Sequence, residues 1–335
     1  MKRLTRLLAL LLLLVCCVNA ACAVEPMITW NGDESTPTRL VHAGDHWYAT
    51  LGSYGRADAT LAIGPSPDKL VPVYSADARV WGTLAATPEY AAWVQEQNDT
   101  LTWMLHNRES GETVAVHTEP FGDERPCFGV VLDANAMYYV RSDTAAGTAE
   151  LVRRSHADGA ETILHAPGCP ISSLTIRQGE LVLAQLAEAG WQILRMDAEN
   201  CDMIAMKQLP ADVEMVFTVD YDPATGGYAV YYCDDSGREH AGAYVGVRLH
   251  SIFTFGSRSY AYEDAMVLQD GHLIWTIKHE VSGLIADNFR VVDVNMLTGD
   301  ISEYERSMHF IIDGGKLLLL TINPDKELIV LETAR

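Results

Sequence analysis

Basic residues are scarce in this chain of 335 residues, in which 24 Lys and Arg stand against 45 Asp and Glu, for a formal net charge of −21. The first 24 residues hold three of those basic residues and no acid, so the rest of the chain carries a charge of −24. Nucleic acids and anionic lipid surfaces are bound by basic faces. The composition therefore argues against nucleic acid as a partner and leaves a well-solvated surface or a cationic partner.

Cysteine pairs with C-x-x-C spacing are also absent. None of the seven cysteines forms a C-x-x-C motif, so neither a zinc ribbon nor a thioredoxin-like redox site is expected. His42 and His46 flank a turn, but no third metal ligand can be named beside them. The run Asp293–Asp300 resembles part of a calcium loop, yet Leu297 stands where such loops place an oxygen ligand. We expect turns at both places, and no metal and no cofactor.

Long apolar runs are missing after the N-terminus. The run Leu7–Val15 is too short to cross a bilayer as a helix. It follows a segment that contains Lys2, Arg3 and Arg6, and it precedes small residues at 20–23. This order is the layout of a secretory signal peptide, and no transmembrane span is expected in the mature chain.

The signal peptide is predicted to cover residues 1–23 and to leave one folded domain over 24–335. Two cleavages compete. Ala21–Ala23 fits an A-x-A site, whereas Asn19–Cys22 resembles a bacterial lipobox that would leave Cys22 lipidated. An Asn stands where the lipobox usually has Leu or Val, which favours the soluble product. Either cleavage predicts an exported protein, extracellular or at the cell surface.

Short strand-like runs fill the rest of the chain. In Phe128–His165, four runs rich in Val, Ile, Leu and Tyr are separated by polar turns, which is typical of strands joined by hairpins. Seven such units can be registered by their first strands, and their starts lie 41 to 48 residues apart. These starts fall near Arg39, Val80, Phe128, Ser172, Met215, Tyr260 and Met308. This is the period of a four-stranded propeller blade.

The turn between the first and second strands of each unit recurs most regularly. It contains Gly, Asn or Asp, because tight hairpins need residues that tolerate positive φ. Such turns are predicted at Ala43–Asp45, Asp133–Asn135, Gln178–Glu180, Asp270–His272 and Asp313–Gly315.

One segment conflicts with the repeat. Thr87, Pro88 and Glu89 before Tyr90–Gln97 look like the capped start of a helix. The register of the neighbouring units instead makes Tyr90–Val94 the second strand of its unit. We follow the register, because tertiary pairing overrides short-range propensity.

The two ends of the chain complement each other. The last unit offers only three strands, Phe310–Ile312, Leu317–Ile322 and Leu328–Leu331. Met27–Trp30 is a spare strand before the first full unit. We expect it to pair beside Leu328–Leu331 as the fourth strand, which would close a ring and remove exposed sheet edges.

The turn Asp293–Asp300 resembles the blade turns of quinoprotein-like and Tol-associated propellers, and the repeat resembles the β-propeller superfamily over the whole mature chain. Motifs of named subfamilies are missing, among them the Gly-His and Trp-Asp pair of WD repeats and the sialidase box. The resemblance implies an all-β fold, a seven-bladed β-propeller closed by an N-terminal strand. It implies no function, because the same fold hosts many.

In such a fold the mouths of the innermost strands line a central channel, where we expect ligand-binding side chains. The candidates are Trp81, Arg125, Phe128, Ser172, Tyr260, Tyr262 and His309. Connections between blades and turns between second and third strands share one face, which we call the loop face. Its charged residues are Arg125, Asp234, Asp235, Arg238, Glu239, His240, His279 and Glu280.

Cys127 and Cys169 each stand just before an innermost strand in consecutive units, and we predict a disulfide between them. Cys201 and Cys233 fall on opposite faces in this register and are not expected to pair.

Catalytic motifs are missing, so the sequence favours a monomeric, non-catalytic binding or scaffolding protein for an unknown protein or glycan. One alternative is a carbohydrate- or lactone-active hydrolase or lyase at the central channel. It would use two of Glu214, Glu263 and Asp264, which would need to lie roughly 5–10 Å apart. Another alternative is a cell-envelope assembly factor that binds proteins through the loop face.

Overall fold

The computed structural model describes residues 26–30, 37–51, 59–121, 129–143, 145–256, 259–279, 289–322 and 328–333. Across these residues the chain consists of β-strands joined by turns, with a single 3-10 turn at Pro67–Lys69 and no α-helix. The predicted all-β class is therefore confirmed.

The strands have the following bounds. Strand β1 covers Pro26–Trp30. The next eight strands are β2 (Pro37–Ala43), β3 (His46–Leu51), β4 (Ala59–Gly64), β5 (Val71–Ala76), β6 (Arg79–Ala86), β7 (Tyr90–Gln97), β8 (Thr100–Asn107) and β9 (Thr113–Pro120). They are followed by β10 (Val130–Leu132), β11 (Ala136–Asp143), β12 (Thr148–Ser155), β13 (Glu161–His165), β14 (Ile171–Arg177), β15 (Glu180–Ala187), β16 (Gly190–Asp197) and β17 (Met203–Gln208). The last eleven are β18 (Val213–Asp222), β19 (Gly227–Asp234), β20 (Glu239–Val245), β21 (Arg248–Thr254), β22 (Ser259–Gln269), β23 (His272–His279), β24 (Phe289–Asn295), β25 (Ile301–Glu305), β26 (Ser307–Asp313), β27 (Lys316–Ile322) and β28 (Leu328–Thr333).

In the part of the chain that the structure describes, these strands form seven four-stranded antiparallel sheets. Six sheets consist of four consecutive strands, beginning at β2, β6, β10, β14, β18 and β22. Successive sheets contact one another in chain order, and the last sheet contacts the first through β26 and β2. Each sheet thus occupies the place of a propeller blade, with its first strand innermost.

The hairpin turns explain the repeat. At the β14–β15 turn, Gln178 and Gly179 have φ angles of 51° and 80°, and at the β22–β23 turn Asp270 and Gly271 have 53° and 77°. Two consecutive positive φ angles give the turn that matches the twist of paired strands. The residues that signalled these turns in the sequence are the ones that adopt the left-handed conformation.

The segment with helix-like signals is a strand. Tyr90–Gln97 is β7 and pairs along its whole length with β8. Thr87 does accept a bond from the backbone N–H of Tyr90 through its Oγ1, at 3.1 Å, but its own N–H donates to the Tyr90 carbonyl at 2.8 Å. This closes a hairpin turn rather than a first helical turn, so the strand predicted from the register is confirmed.

The core lies between neighbouring sheets. Between the sheets that begin at β6 and β10, Trp103, Met137 and Tyr139 are fully buried against one another's strands. Second strands are covered on both sides, so their sequences are continuous apolar runs, such as Leu181–Ala184 in β15 and Ala229–Tyr232 in β19.

The innermost strands are irregular. Among the described residues, six of the seven pair with their second strand through at least one register shift, at β2, β6, β14, β18, β22 and β26. The largest shifts lie between Trp81 and Ala85 in β6 and between Ala261 and Met266 in β22. These two strands also contact each other although their sheets are not neighbours. The bulged segments therefore meet across the centre of the molecule.

The chain ends pair as predicted. Strand β1 lies antiparallel to β28, with Trp30 opposite Leu328 and Ile28 opposite Val330. The last sheet accordingly has the order β1, β28, β27, β26.

No helix among the described residues is long and apolar enough to cross a membrane.

Candidate functional site

The channel-mouth candidates lie at the irregular positions of the innermost strands. Trp81 precedes the shift in β6, Ser172 lies within the one in β14, and His309 follows the one in β26. Tyr260 and Tyr262 belong to β22, and Arg125 and Phe128 lie outside the described residues. A β-bulge changes the direction of the side chains beside it. The bulges, which the sequence did not show, therefore influence the orientation of Trp81, Ser172 and His309.

Trp81 is half-buried and held by its neighbours. Its ring lies 5.3 Å from the ring of Phe121, and the Arg79 guanidinium lies 5.8 Å from its centroid. The indole also packs against the core cluster between the sheets that begin at β6 and β10.

His309 is engaged by the next sheet. Its Nε2 lies 3.3 Å from the carbonyl oxygen of Leu40. Burial, together with the positive charge of Arg39, lowers the pKa of His309 to about 4. Arg39 is itself buried and donates from Nε to the carbonyl oxygen of Gly82. A neutral imidazole and a buried guanidinium thereby join three successive sheets near the channel.

A buried ion pair, which sequence reasoning missed, joins the three sheets that begin at β14, β18 and β22. Arg177 at the end of β14 donates from Nε and Nη2 to the two carboxylate oxygens of Asp220, at 2.9 and 2.7 Å. Asp220 is fully buried and also accepts from the backbone N–H of Leu268 in β22. Desolvation opposes the charge of Arg177, yet the attraction of the Asp220 carboxylate leaves the pKa of Arg177 raised. The Asp220 carboxylate is fully engaged in these contacts between sheets and does not face a ligand.

Three carboxylates were predicted as candidates for an enzymatic channel. Glu214 is exposed at the start of β18. Glu263 and Asp264 belong to β22, and their side chains lie outside the part of the chain that the structure describes. A pair of carboxylates at the channel therefore stays a prediction.

A cavity in the described part of the chain lies on the face opposite the loop face. It has a volume of about 850 Å³ and is bounded by turns of the sheets that begin at β6, β10 and β14. We call it the turn-face cleft. Its walls come from Glu89 and Tyr90, from the β10–β11 and β12–β13 turns, and from the β14–β15 and β16–β17 turns.

One wall of the turn-face cleft is a stacked pair of rings from different sheets. Tyr90 and His156 lie 3.9 Å apart with an interplanar angle of 10°. His156 Nε2 lies 3.2 Å from the Asp133 carbonyl oxygen, to which it donates. Burial lowers the pKa of His156, so the imidazole is neutral near pH 7. The ring is therefore a flat, uncharged surface.

The floor of the cleft is a hydrogen-bonded network. Tyr138 OH donates to Asp133 Oδ2 at 2.7 Å and lies 3.1 Å from the Ala198 carbonyl oxygen. Asp133 Oδ1 accepts from the backbone N–H groups of Asn135 and Ala136, both at 2.7 Å. Burial and the nearby carboxylate raise the pKa of Tyr138 well above its usual value, so it stays a hydrogen-bond donor.

The charge of the turn-face cleft is strongly negative. Five carboxylates line it against the single guanidinium of Arg153; they belong to Glu89, Asp133, Glu180, Asp197 and Glu199. Glu180 is paired with Arg195, which lies behind the cleft, at 2.7 Å, and Asp197 Oδ1 accepts from two backbone N–H groups of its turn. Glu89 and Glu199 are exposed at the rim, where their charge is available to a ligand.

The segments around His42 and Asn295 form turns, as predicted. His42 Nδ1 lies 2.8 Å from Asp313 Oδ2, and its ring stacks on Trp47 at 4.6 Å. Asp293 Oδ1 lies 2.7 Å from His272 Nδ1, and the Asn295 side chain caps its own turn. Among the described residues, no group of three metal-ligating side chains comes together.

The cysteines are free thiols where they are described. Cys169, Cys201 and Cys233 are half-buried, and burial raises the pKa of each thiol. The predicted partner of Cys169, Cys127, lies outside the described residues, as does Cys22, the predicted lipidation site.

Of the charged residues on the loop face, Arg125 and Glu280 lie outside the described residues. The β19–β20 turn is described, and there Ser236 Oγ and His240 Nε2 both contact the carboxylate of Asp234.

Comparisons with known proteins point to the fold. No protein-family model matches the chain, and no curated protein sequence matches it. The β-propeller domain of the Trilobed protease from Pyrococcus furiosus superposes with a TM-score of 0.55 at 10% identity, covering 92% of this chain and 94% of that one. A chain of the Mitotic Checkpoint Complex gives 0.55 at 10% identity, with coverage of 93% and 96%. The CNH domain of AfRom2 gives 0.51 at 14% identity, with coverage of 93% and 99%.

The first of these structures is described as having an open velcro topology, whereas here β1 pairs with β28. At such low identities the likeness concerns the fold alone. Together with the arrangement of the sheets, it shows that this chain has a β-propeller fold.

Proposed function

We propose that the protein is an exported binding protein whose turn-face cleft binds, without catalysing a reaction, a positively charged ligand such as a basic peptide segment. The N-terminal basic and apolar segments support export, and the mature protein would begin near Val24 or at a lipidated Cys22. It would act as one closed, seven-bladed ring.

The observation that carries this proposal is the charge of the cleft. A concave site lined by one sign of charge focuses the field and attracts the opposite charge. Here five carboxylates surround one guanidinium, and the neutral His156 adds no positive charge. The Tyr90–His156 stack offers a flat surface beside them, on which a cationic group or an alkyl stem can lie.

The proposal is tested by calorimetric titration of the mature protein with tetralysine, tetraglutamate and a neutral oligosaccharide. We expect tetralysine to bind at low ionic strength and to weaken as salt rises to about 0.15 M, because salt screens exposed charges. Binding of tetraglutamate, or of none of the three, would contradict the proposal.

The cleft is distinguished from the general negative charge by matched variants. The double substitution Glu89→Gln and Glu199→Gln removes two rim charges and should weaken tetralysine binding about thirtyfold, since each contact is worth about 1 kcal/mol in water. Glu188→Gln with Glu214→Gln removes the same charge from exposed positions at the opposite face and should leave binding within about twofold. Equal effects of the two pairs would show that the ligand does not sit in the cleft.

A further inference from the structure

A second site lies on the loop face of the sheet that begins at β18, and it is independent of the turn-face cleft. Three side chains of β19, β20 and β21 form a continuous hydrogen-bonded chain. Asp234 Oδ2 lies 2.9 Å from His240 Nε2, and His240 Nδ1 lies 2.9 Å from Ser251 Oγ. We propose that Ser251, His240 and Asp234 form an acyl-transfer site that hydrolyses carboxylic esters.

The carboxylate is oriented by its own turn. Asp234 Oδ1 accepts from the backbone N–H groups of Ser236 and Arg238, each at 2.9 Å, and from Ser236 Oγ at 2.6 Å. These bonds occupy Oδ1 and leave Oδ2 facing the imidazole. They also hold the pKa of Asp234 well below its usual value, so the carboxylate is ionised. An ionised Oδ2 can only accept, which places the imidazole proton on Nε2.

That tautomer gives His240 the role of a base. With the proton on Nε2, the lone pair of Nδ1 faces the Ser251 hydroxyl. The ring is buried and stacks on Tyr232 at 5.0 Å with an interplanar angle of 21°, so it cannot turn away freely. The nucleophile–base–carboxylate order is the one that activates a serine in acyl transfer, whatever the fold that supplies it.

A β-bulge brings the serine to the histidine. Strand β21 pairs with β20 through a register shift, with Ala241 opposite Phe253 but Gly242 opposite Ser251. Ser251 and Thr254 are an odd number of residues apart and would face opposite sides of a regular strand. Because of the bulge, both hydroxyls reach His240 Nδ1, Thr254 at 3.1 Å. Ser251 is exposed on the outermost strand, where a substrate can reach it.

The reaction balances with these groups and water alone. Ser251 Oγ bonds to the acyl carbon of an ester as its proton passes to His240 Nδ1. The bond from the acyl carbon to the alkoxy oxygen breaks, and that oxygen leaves as an alcohol with the proton from His240. Water then attacks the acyl-serine, again losing a proton to Nδ1, and Oγ leaves with that proton. The net products are a carboxylic acid and an alcohol. Ser251 and His240 are the catalytic residues, and Asp234 is a positioning residue.

The test uses a fluorophosphonate reagent, which phosphonylates activated serines, on the whole mature protein, with the adduct located by peptide mass spectrometry. We expect Ser251 to react at least tenfold faster than Ser302, an exposed serine on the outermost strand β25 of the next sheet. Ser251→Ala should abolish this fast adduct and the hydrolysis of p-nitrophenyl acetate above background. Reaction of Ser251 at the rate of Ser302, or an adduct on Thr254 instead, would overturn the assignment.

The positioning role of Asp234 has its own readout. Asp234→Asn keeps an oxygen for the turn but offers an N–H to His240 Nε2, so the imidazole proton should move to Nδ1. We expect the ¹⁵N shifts of His240 to report this change of tautomer and the Ser251 labelling rate to fall at least tenfold at an unchanged melting temperature. An unchanged tautomer, or an unchanged labelling rate, would show that Asp234 serves only the turn.

Discussion

At the scale of single residues, the centre of the molecule is held by charged and polar groups that are already paired. Arg39, His309, Arg177 and Asp220 each bond to a group on a neighbouring sheet. Breaking a buried pair on one side leaves an uncompensated charge, which is more destabilising than the pair is stabilising. The channel of this propeller is therefore a structural junction as much as a place for a ligand.

His309 should make stability depend on pH. In the unfolded chain its imidazole takes up a proton near pH 6.5, whereas in the folded protein it does so only near its pKa of about 4. Between these values the unfolded state binds more protons, so the free energy of unfolding falls as the pH falls. The whole window is worth up to about 3 kcal/mol.

The measurement is urea denaturation of the wild type and of His309→Gln at about pH 7.5 and pH 4.5. Other groups titrate in both proteins, so the comparison isolates the contribution of His309. We expect the wild type to lose more stability than the variant on acidification. Parallel losses would show that His309 is protonated in the folded protein as readily as in the unfolded one.

At the scale of elements, strand β1 completes the last sheet. Removing residues up to Asn31 would leave β28 as an open edge along Leu328–Leu331. We expect the melting temperature to fall by more than about 5 °C and aggregation to increase. A truncation that ends at Val24 keeps β1 and should melt like the mature protein; if both truncations melt alike, β1 does not hold the ends together.

The strands could be predicted well from the sequence because the hairpin turns between them contain Gly, Asn or Asp. Gly44, Gly179 and Gly271 mark turns that need positive φ. The apolar runs between these turns fit the pattern of strands and no helical period. The register even outweighed the helix-like start before Tyr90. In six of the seven sheets each strand pairs with its neighbour along the chain, so these pairings can be predicted locally.

The sites were predicted less well because they join residues from different sheets. Tyr90 stacks on His156, and Arg177 pairs with Asp220, across sheet boundaries that leave no mark in the local pattern. The bulges were equally hidden, since one added residue in β14 or β21 does not disturb the composition of the strand. The turn Cys233–His240 was singled out for its charges, but its link to Ser251 depends on such a bulge.

At the scale of the whole molecule, the pairing of β1 with β28 predicts that the chain can begin at another point of the ring without a change of fold. Pro26 lies opposite Leu331, so a short linker can join the end of β28 to the beginning of β1. New termini can be placed at Gly111, an exposed turn residue with a φ of 72° and no atom within 4 Å of an added Cβ. We expect this circular permutant to have the β-rich circular dichroism of the parent and a melting temperature within about 5 °C of it.

The control permutant opens the chain between Tyr138 and Tyr139, in the middle of the buried strand β11. It should not fold, because the cut falls in a ladder paired on both sides. Equal stability of the two permutants, or failure of the one opened at Gly111, would contradict a ring whose ends meet at β1 and β28.

The pairing of β1 with β28 also determines which sheet is completed last during synthesis. Strand β1 can pair only after β28 has been synthesised, since Trp30 pairs with Leu328. Contacts between residues so distant along the chain form slowly. Each of the six intervening sheets, in contrast, consists of four consecutive strands and can be complete as soon as those strands have left the ribosome. The last sheet, with an unpaired edge until that moment, is the stage at which a nascent chain is most exposed to proteases and to other copies of itself.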